Sequence, residues 1–365
     1  MSLDSRPCPD CDADGASLAK QSIEQAAVDR RRFLKAATVT GVAALGLNTV
    51  PLWTPSAARA AKIEFDKKAA PESLVKVLYD NLTPDQKKKV CYEWDFMDPK
   101  RGLLRTRVAN NWNINENFIY GDFYTAEQQE IIRAIFEGII QPEWHAKIDH
   151  QLLDDAGGYG REQSLAIFGT PGSDKFEFVM TGRHMTLRCD GNTSDHVAFG
   201  GPIFYGHASN GFNEEKEHEG NVFWPQALAA NKVYTMLDGK QRTQAMVKAL
   251  PAEQKSGFRP AGEARPGLAV SDMSADQKEE VQKVLQKLIE PYRQSDKDEV
   301  VACLKAQGGL DKCNLAFYQD GDIGNDGVWD CWRLEGPAFV WYFRGSPHVH
   351  VWVNVADDPS VKLNA

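Results

Sequence analysis

Two blocks of short strand-like segments, each preceded by stretches of helical periodicity, restrict the fold this chain can adopt. Leu165 to Phe168, Phe176 to Met180, His184 to Arg188 and His196 to Phe199 form the first block. Asn314 to Tyr318, Val328 to Leu334, Ala338 to Phe343 and His348 to Val355 form the second. The segments are joined by short Gly, Pro and Asp turns such as Thr170-Pro171-Gly172-Ser173-Asp174 and Gly345-Ser346-Pro347, and connections this short favour antiparallel pairing. Before the first block, Ile131, Ile132, Ile135, Phe136 and Ile139 recur at helical spacing; before the second, Val281, Val284, Leu285, Leu288 and Ile289 do the same. The expectation is an α+β fold, with one or two antiparallel sheets packed against helices. An apolar content of 42% with 10% aromatics supports a proper core.

The helix openings resemble one another. Thr83-Pro84-Asp85-Gln86, Thr125-Ala126-Glu127-Gln128 and Ser274-Ala275-Asp276-Gln277 each have the form of a capping box, and Pro251-Ala252-Glu253-Gln254 lacks only the hydroxyl cap. Such repetition fits an internal duplication and equally fits independent use of a good helix start. From Gly200 to Pro225 the chain is rich in Gly, Asn and aromatics and follows neither period, which predicts a long functional loop or lid.

The N-terminal region carries a different signal. Asp29-Arg30-Arg31-Arg32-Phe33-Leu34-Lys35, a weakly apolar run from Ala36 to Leu47, and Ala58-Arg59-Ala60 together resemble a twin-arginine export signal with a cleavage site. The run is interrupted by Thr38, Thr40, Gly41, Gly46, Asn48 and Pro51, which is poor material for a membrane span of about 20 apolar residues. The expectation is therefore a signal peptide over 1–60, a single α+β domain over 61–365, the twin-arginine translocase as partner during export, and a periplasmic or secreted product with no stable membrane insertion. With 42 Lys and Arg against 51 Asp and Glu and a net charge of -9, the chain lacks the positive patch that nucleic acid requires. Cys8 and Cys11 fall within the removed segment. Of Cys91, Cys189, Cys303, Cys313 and Cys331, the pair Cys303 and Cys313 is the one most easily bridged by a disulfide.

Candidate chemistry rests on histidine. In His348-Val349-His350-Val351-Trp352-Val353-Asn354-Val355, a period of two puts His348, His350, Trp352 and Asn354 on one face and four valines on the other, with the valines towards the core. The same phase puts His184, Thr186 and Arg188 opposite Met185 and Leu187. If these strands are neighbours, His184, His348 and His350 converge on one polar face, joined by His207, His196 or Glu335, and form a metal site with an open position. Zinc, copper and iron all accept such ligands. Arg333 and Glu335 share a strand face and read either as an anion clamp with an acid/base role or as a satisfied ion pair. His145 and His150 do not share a helix face and read as structural; Asn213 to Glu219 reads as a solvated loop. No Gly-x-Ser-x-Gly elbow, phosphate loop or dinucleotide fingerprint occurs.

On these segments the chain resembles a bacterial family catalogued as domain of unknown function 3500. The carrying motifs are Ile167-Phe168-Gly169-Thr170-Pro171-Gly172, Gly182-Arg183-His184-Met185-Thr186-Leu187, Gly201-Pro202-Ile203-Phe204-Tyr205-Gly206, Trp332-Arg333-Leu334-Glu335-Gly336-Pro337 and His348-Val349-His350. The family tends to have Gly-His-His where this chain has Gly182-Arg183-His184, so one possible ligand position is unfilled. The resemblance implies the order of blocks and the choice of His184 and His350, and it supplies no reaction.

Two functions compete at this point. One is an exported enzyme with a histidine-held metal acting, hydrolytically or oxidatively, on a small polar molecule, with Lys240, Gln241, Arg242, Arg188 and Arg333 available to bind it. The other is a non-catalytic periplasmic protein that binds a carbohydrate or other small ligand on Trp224, Trp332, Trp341 and Trp352.

Overall fold

The strand blocks merge into one sheet. In a computed structural model, described for residues 63–173, 175–191, 197–208 and 220–363, the elements run in the order helices, strands, helices, strands. Helices α1 (Pro71–Asn81) and α2 (Pro84–Val90) lead into strand β1 (Cys91–Tyr92); a small hairpin, β2 (Met97–Asp98) with β3 (Gly102–Leu103), follows. Helices α3 (Ala126–Ile139) and α4 (Pro142–Ala156) precede β4 (Ser164–Gly169), β5 (Phe176–Gly182), β6 (Met185–Asp190) and β7 (Ile203–His207). The second half has α5 (Trp224–Met236), α6 (Gly239–Ala245), β8 (Met246–Val247), β9 (Leu268–Ala269), α7 (Ala275–Ile289) and α8 (Gln294–Ala306). It ends with β10 (Asn314–Tyr318), β11 (Cys331–Gly336), β12 (Phe339–Arg344) and β13 (Val349–Val355).

The sheet order is β1-β4-β5-β6-β7-β13-β12-β11-β10-β8, with β9 also on β10. Each half is an antiparallel meander of four strands flanked by one short parallel strand, β1 on β4 and β8 on β10. The halves meet where β7 and β13 pair antiparallel. The helix caps repeat as well. Thr83, Thr125, Asp238 and Ser274 each close a capping box with Gln86, Gln128, Gln241 and Gln277. The cap glutamines bond each other in pairs: Gln86 and Gln128 exchange amide bonds of 2.8 and 3.0 Å, Gln241 and Gln277 bonds of 2.9 and 2.8 Å. Gln128 also donates to Asn81 O and Gln277 to Met236 O, tying each second cap to the end of the helix that precedes the first cap. A buried amide needs all its partners, and this pairing supplies them in both halves.

Several expectations change. Residues from Gly200 do not stay irregular: Ile203–His207 is a central strand, and Gly206 allows it to approach β13, since a Cβ there would stand 2.3 Å from Val349 O and 3.3 Å from His350 Cδ2. Val197 to Phe199 form a bridge and a 3-10 turn rather than a strand. Pro251 to Gln254 opens no helix, and the fourth capping box is at Asp238. Cys303 and Cys313 are not bridged to each other, and Cys91, Cys189 and Cys331 are likewise thiols. The polar face of β13 is not open to solvent: every residue of the strand is buried. Trp352 packs with Val108, Phe204, Ala316, Tyr318, Cys331, Val340 and Tyr342 under non-helical chain that includes Val247, Leu250 and Phe258. The proposed stacking groove therefore does not exist, because Trp224, Trp332, Trp341 and Trp352 are all core residues. Residues 1–62, which carry the export signal, and His196 and Asn213 to Glu219 lie outside the described residues. None of the described helices is long and apolar enough to cross a membrane.

Candidate metal centre

His184, His348 and His350 come together across the two halves. His350 lies on β13 and His348 just before it, so the period of two puts both rings on one side. His184 is not inside a strand. It is the second residue of the two-residue turn between β5 and β6, where Gly182 pairs with Met185. Its φ of 53° is left-handed, a conformation uncommon for a side chain larger than glycine, and its amide donates to Asn111 Oδ1 at 3.3 Å. The turn projects His184 over β7 towards the start of β13.

The Nε2 atoms of His184 and His348 are 3.3 Å apart, and those of His348 and His350 2.8 Å. All three ligand atoms lie within 4.8 Å of one another, and the residues are 1%, 3% and 2% exposed. The far nitrogens of two rings are fixed. His184 Nδ1 donates to Asp155 Oδ2 at 2.8 Å, and His350 Nδ1 donates to Glu253 Oε1. With the proton on Nδ1, each Nε2 presents a lone pair. Lone pairs aimed at a common point repel unless a cation or proton lies between them. Imidazoles about 2.0–2.1 Å from a tetrahedral ion stand about 3.3 Å from one another, which the His184–His348 pair matches, while the His348–His350 pair is closer and would have to open slightly around an ion. A carboxylate behind a ligating imidazole is also the usual means of fixing its tautomer.

The electrostatics agree. Burial is the main cause that holds the His184 imidazole down to about 4 and that of His348 to about 2, so both are neutral and able to ligate. Burial opposes ionisation of Glu253, but the His350 hydrogen bond and Arg344 hold it at about 2. Burial likewise opposes ionisation of Asp155, and its histidine contacts outweigh that and keep it well below the usual range. Asp155, near the end of α4, also accepts from Gln151 at 2.9 Å and from the Ala208 amide at 3.1 Å. Glu253 Oε2 is 2.6 Å from Arg344 Nη1.

Other predicted residues fall elsewhere. His207 pairs with Val349, which puts it on the valine face, opposite His350; its Nδ1 lies 3.3 Å from Asp155 Oδ2. Glu335 pairs through Val340 to Asn354, four residues along the strand from the level of His350, or about 13 Å. There it forms an ion-pair cluster, 2.6 Å from Arg259 Nε and 3.0 Å from Arg333 Nε, while Arg333 Nη1 donates to Lys255 O at 2.8 Å. That cluster clamps the 251–265 strap onto the sheet. Arg188 is buried against Glu177 at 2.7 Å, and Gln241 is engaged with Gln277. His145 Nε2 donates to Glu137 O at the end of α3, at 2.9 Å, and is structural. Sequence reasoning missed Asp155, Glu253, Asn111 and Gly206, which support the cluster from distant segments.

Fold and site together define a mixed α+β protein built on a largely antiparallel sheet, with a buried three-histidine cluster that could hold a metal ion. The chain belongs to the family described as protein of unknown function (DUF3500), which matches residues 68–354. No curated protein and no solved structure matches it.

Proposed function

We propose that this is an exported metal-dependent enzyme in which His184, His348 and His350 hold one divalent or redox-active ion, zinc, copper or iron, and a fourth position takes a small polar substrate. The observation that carries this reading is the convergence of three buried histidines whose rings are oriented, in two cases, by carboxylates. A bound ion would supply Lewis acidity at the open position. The chain's own residues do the rest. Asp155 and Glu253 keep the Nδ1 protons in place and make the imidazoles better donors, and the surrounding core excludes bulk water. The twin-arginine-like segment at Arg30-Arg31 supports export to the periplasm through the twin-arginine translocase, with the exported protein free of stable membrane insertion.

Elemental analysis of full-length protein, wild type and with His184→Ala or His350→Ala, tests the metal. One equivalent in wild type and none in either variant is expected; wild type without transition metal, even after reconstitution, sinks the reading. For export, Arg30→Lys with Arg31→Lys should retain the precursor inside the cell, and processed protein in the periplasm of that strain would refute the route.

A further inference from the structure

The charges around the three histidines do not balance once an ion is present. Three neutral imidazoles leave a divalent cation with its full charge. The two carboxylates that support them, Asp155 and Glu253, offset that charge, but two arginines add to it. Arg344 lies directly across β12 and β13 from His350, on the same face. One of its nitrogens, Nη1, contacts Glu253, while its buried Nε has no hydrogen-bond partner. Arg183 immediately precedes His184 in the β5–β6 turn, and its Nε is also buried without a partner. Arg183 adjoins His184 in the same two-residue turn, and its charge is among the influences that lower the basicity of His184 and His348. Glu162 is the further carboxylate that senses Arg183. Counting it, the loaded centre still has an uncompensated positive charge in buried surroundings, where such charge is costly.

We propose that the substrate of this centre carries an oxyanion, a carboxylate or a phosphate, which occupies the open position of the ion and is gripped by Arg183 with Arg344 beside it. The planar guanidinium offers adjacent N–H donors that match two oxygens of either group. This inference rests on the metal reading above. It goes beyond that reading by assigning the sign and shape of the group that binds and a residue that selects it.

The test uses full-length protein stripped of metal and reloaded with cobalt(II), whose visible absorption reports changes in its ligands. Inorganic phosphate and acetate are titrated separately into wild type, Arg183→Gln and Arg183→Lys. At least one of the anions should shift the cobalt bands in wild type, and the anion that does so identifies the source of the oxyanion. Arg183→Gln should need at least about tenfold more of it, and Arg183→Lys, which keeps the charge without the fork, should fall between. Cobalt stoichiometry should be the same in all three. Equal anion affinity in Arg183→Gln and wild type, or wild-type bands that respond to neither anion, would overturn the oxyanion assignment while leaving the metal reading intact. Failure of wild type to bind cobalt would overturn both.

Discussion

Glu253 holds His350 by its Nδ1 proton from a strap that has no regular secondary structure, and the same carboxylate reaches Arg344 on the neighbouring strand. The pair fixes both the tautomer and the direction of one proposed ligand. Glu253→Gln keeps the shape and an acceptor oxygen but removes the charge. Metal affinity should fall roughly 10–100-fold, measured by competition with a chelator of known affinity, with the circular dichroism spectrum unchanged. An unchanged affinity would mean that Glu253 serves the strap alone.

Replacement of His350 by Ala should do more than remove a ligand. The phase of β13 suggests that its loss would be harmless, yet the ring is buried and is a partner of the largely covered Glu253 carboxylate. A cavity and an unpaired Glu253 should together cost about 2–5 kcal/mol. Urea denaturation of metal-free protein measures this without any contribution from bound metal; a change below about 1 kcal/mol would show that the region relaxes freely.

Gly206 sets the distance between β7 and β13 beside the cluster. Gly206→Ala would place a methyl group 2.3 Å from Val349 O and 3.3 Å from His350 Cδ2. The backbone must move, so both stability and metal content should fall, by about 1–3 kcal/mol for stability. Thermal unfolding and elemental analysis of the same sample check both; a wild-type value in either would show that the strands can separate without disturbing His350.

A pH dependence arises on the other side of the sheet. Burial and the neighbouring Asp190 push Glu299 up to about 7, although its carboxylate accepts the Phe199 amide at 3.0 Å. Burial pushes Asp296 up to about 6 against the opposing pull of Arg293, with Glu72 adding to the rise. For both groups the folded state holds a proton more tightly than the unfolded chain. Their contribution to stability is therefore complete below about pH 4 and is lost as pH rises through 6 to 7. The melting temperature should climb as pH falls from 8 towards 6, and Glu299→Gln, which keeps an acceptor for Phe199, should flatten that slope. A slope identical to wild type would place the titration elsewhere.

Much of this fold was legible, for reasons that differ by element. The meanders of β4 to β6 and β10 to β13 announce themselves through alternation and short turns, and the phase of β13 put His348 and His350 together correctly. Strand β7 was hidden because Gly201, Pro202 and Gly206 read as loop residues, whereas Gly206 is there to admit the neighbouring strand. His184 kept its face but not its strand, since a two-residue turn with a left-handed histidine leaves no periodic trace. Glu253 resembled a helix opening and is a partner of His350 across 97 residues. The cap glutamines Gln86, Gln128 and Gln277 were visible singly and Gln241 was not, and their pairing joins segments 42 and 36 residues apart, which no local pattern encodes. Arg333 and Glu335 share a face as expected, and Arg259, distant in sequence, makes them a clamp.

The seam between β7 and β13 carries a consequence for assembly. His184 belongs to the first half and His348 to the second, 164 residues later. Neither half alone can offer the three nitrogens, so an ion would act as a rivet through the joint, closing a long loop that the chain must otherwise close by packing. Such a rivet can be set only after the two meanders have found each other. Its removal would loosen the joint first, leaving each meander, with its own glutamine-paired helices, the last part to come undone.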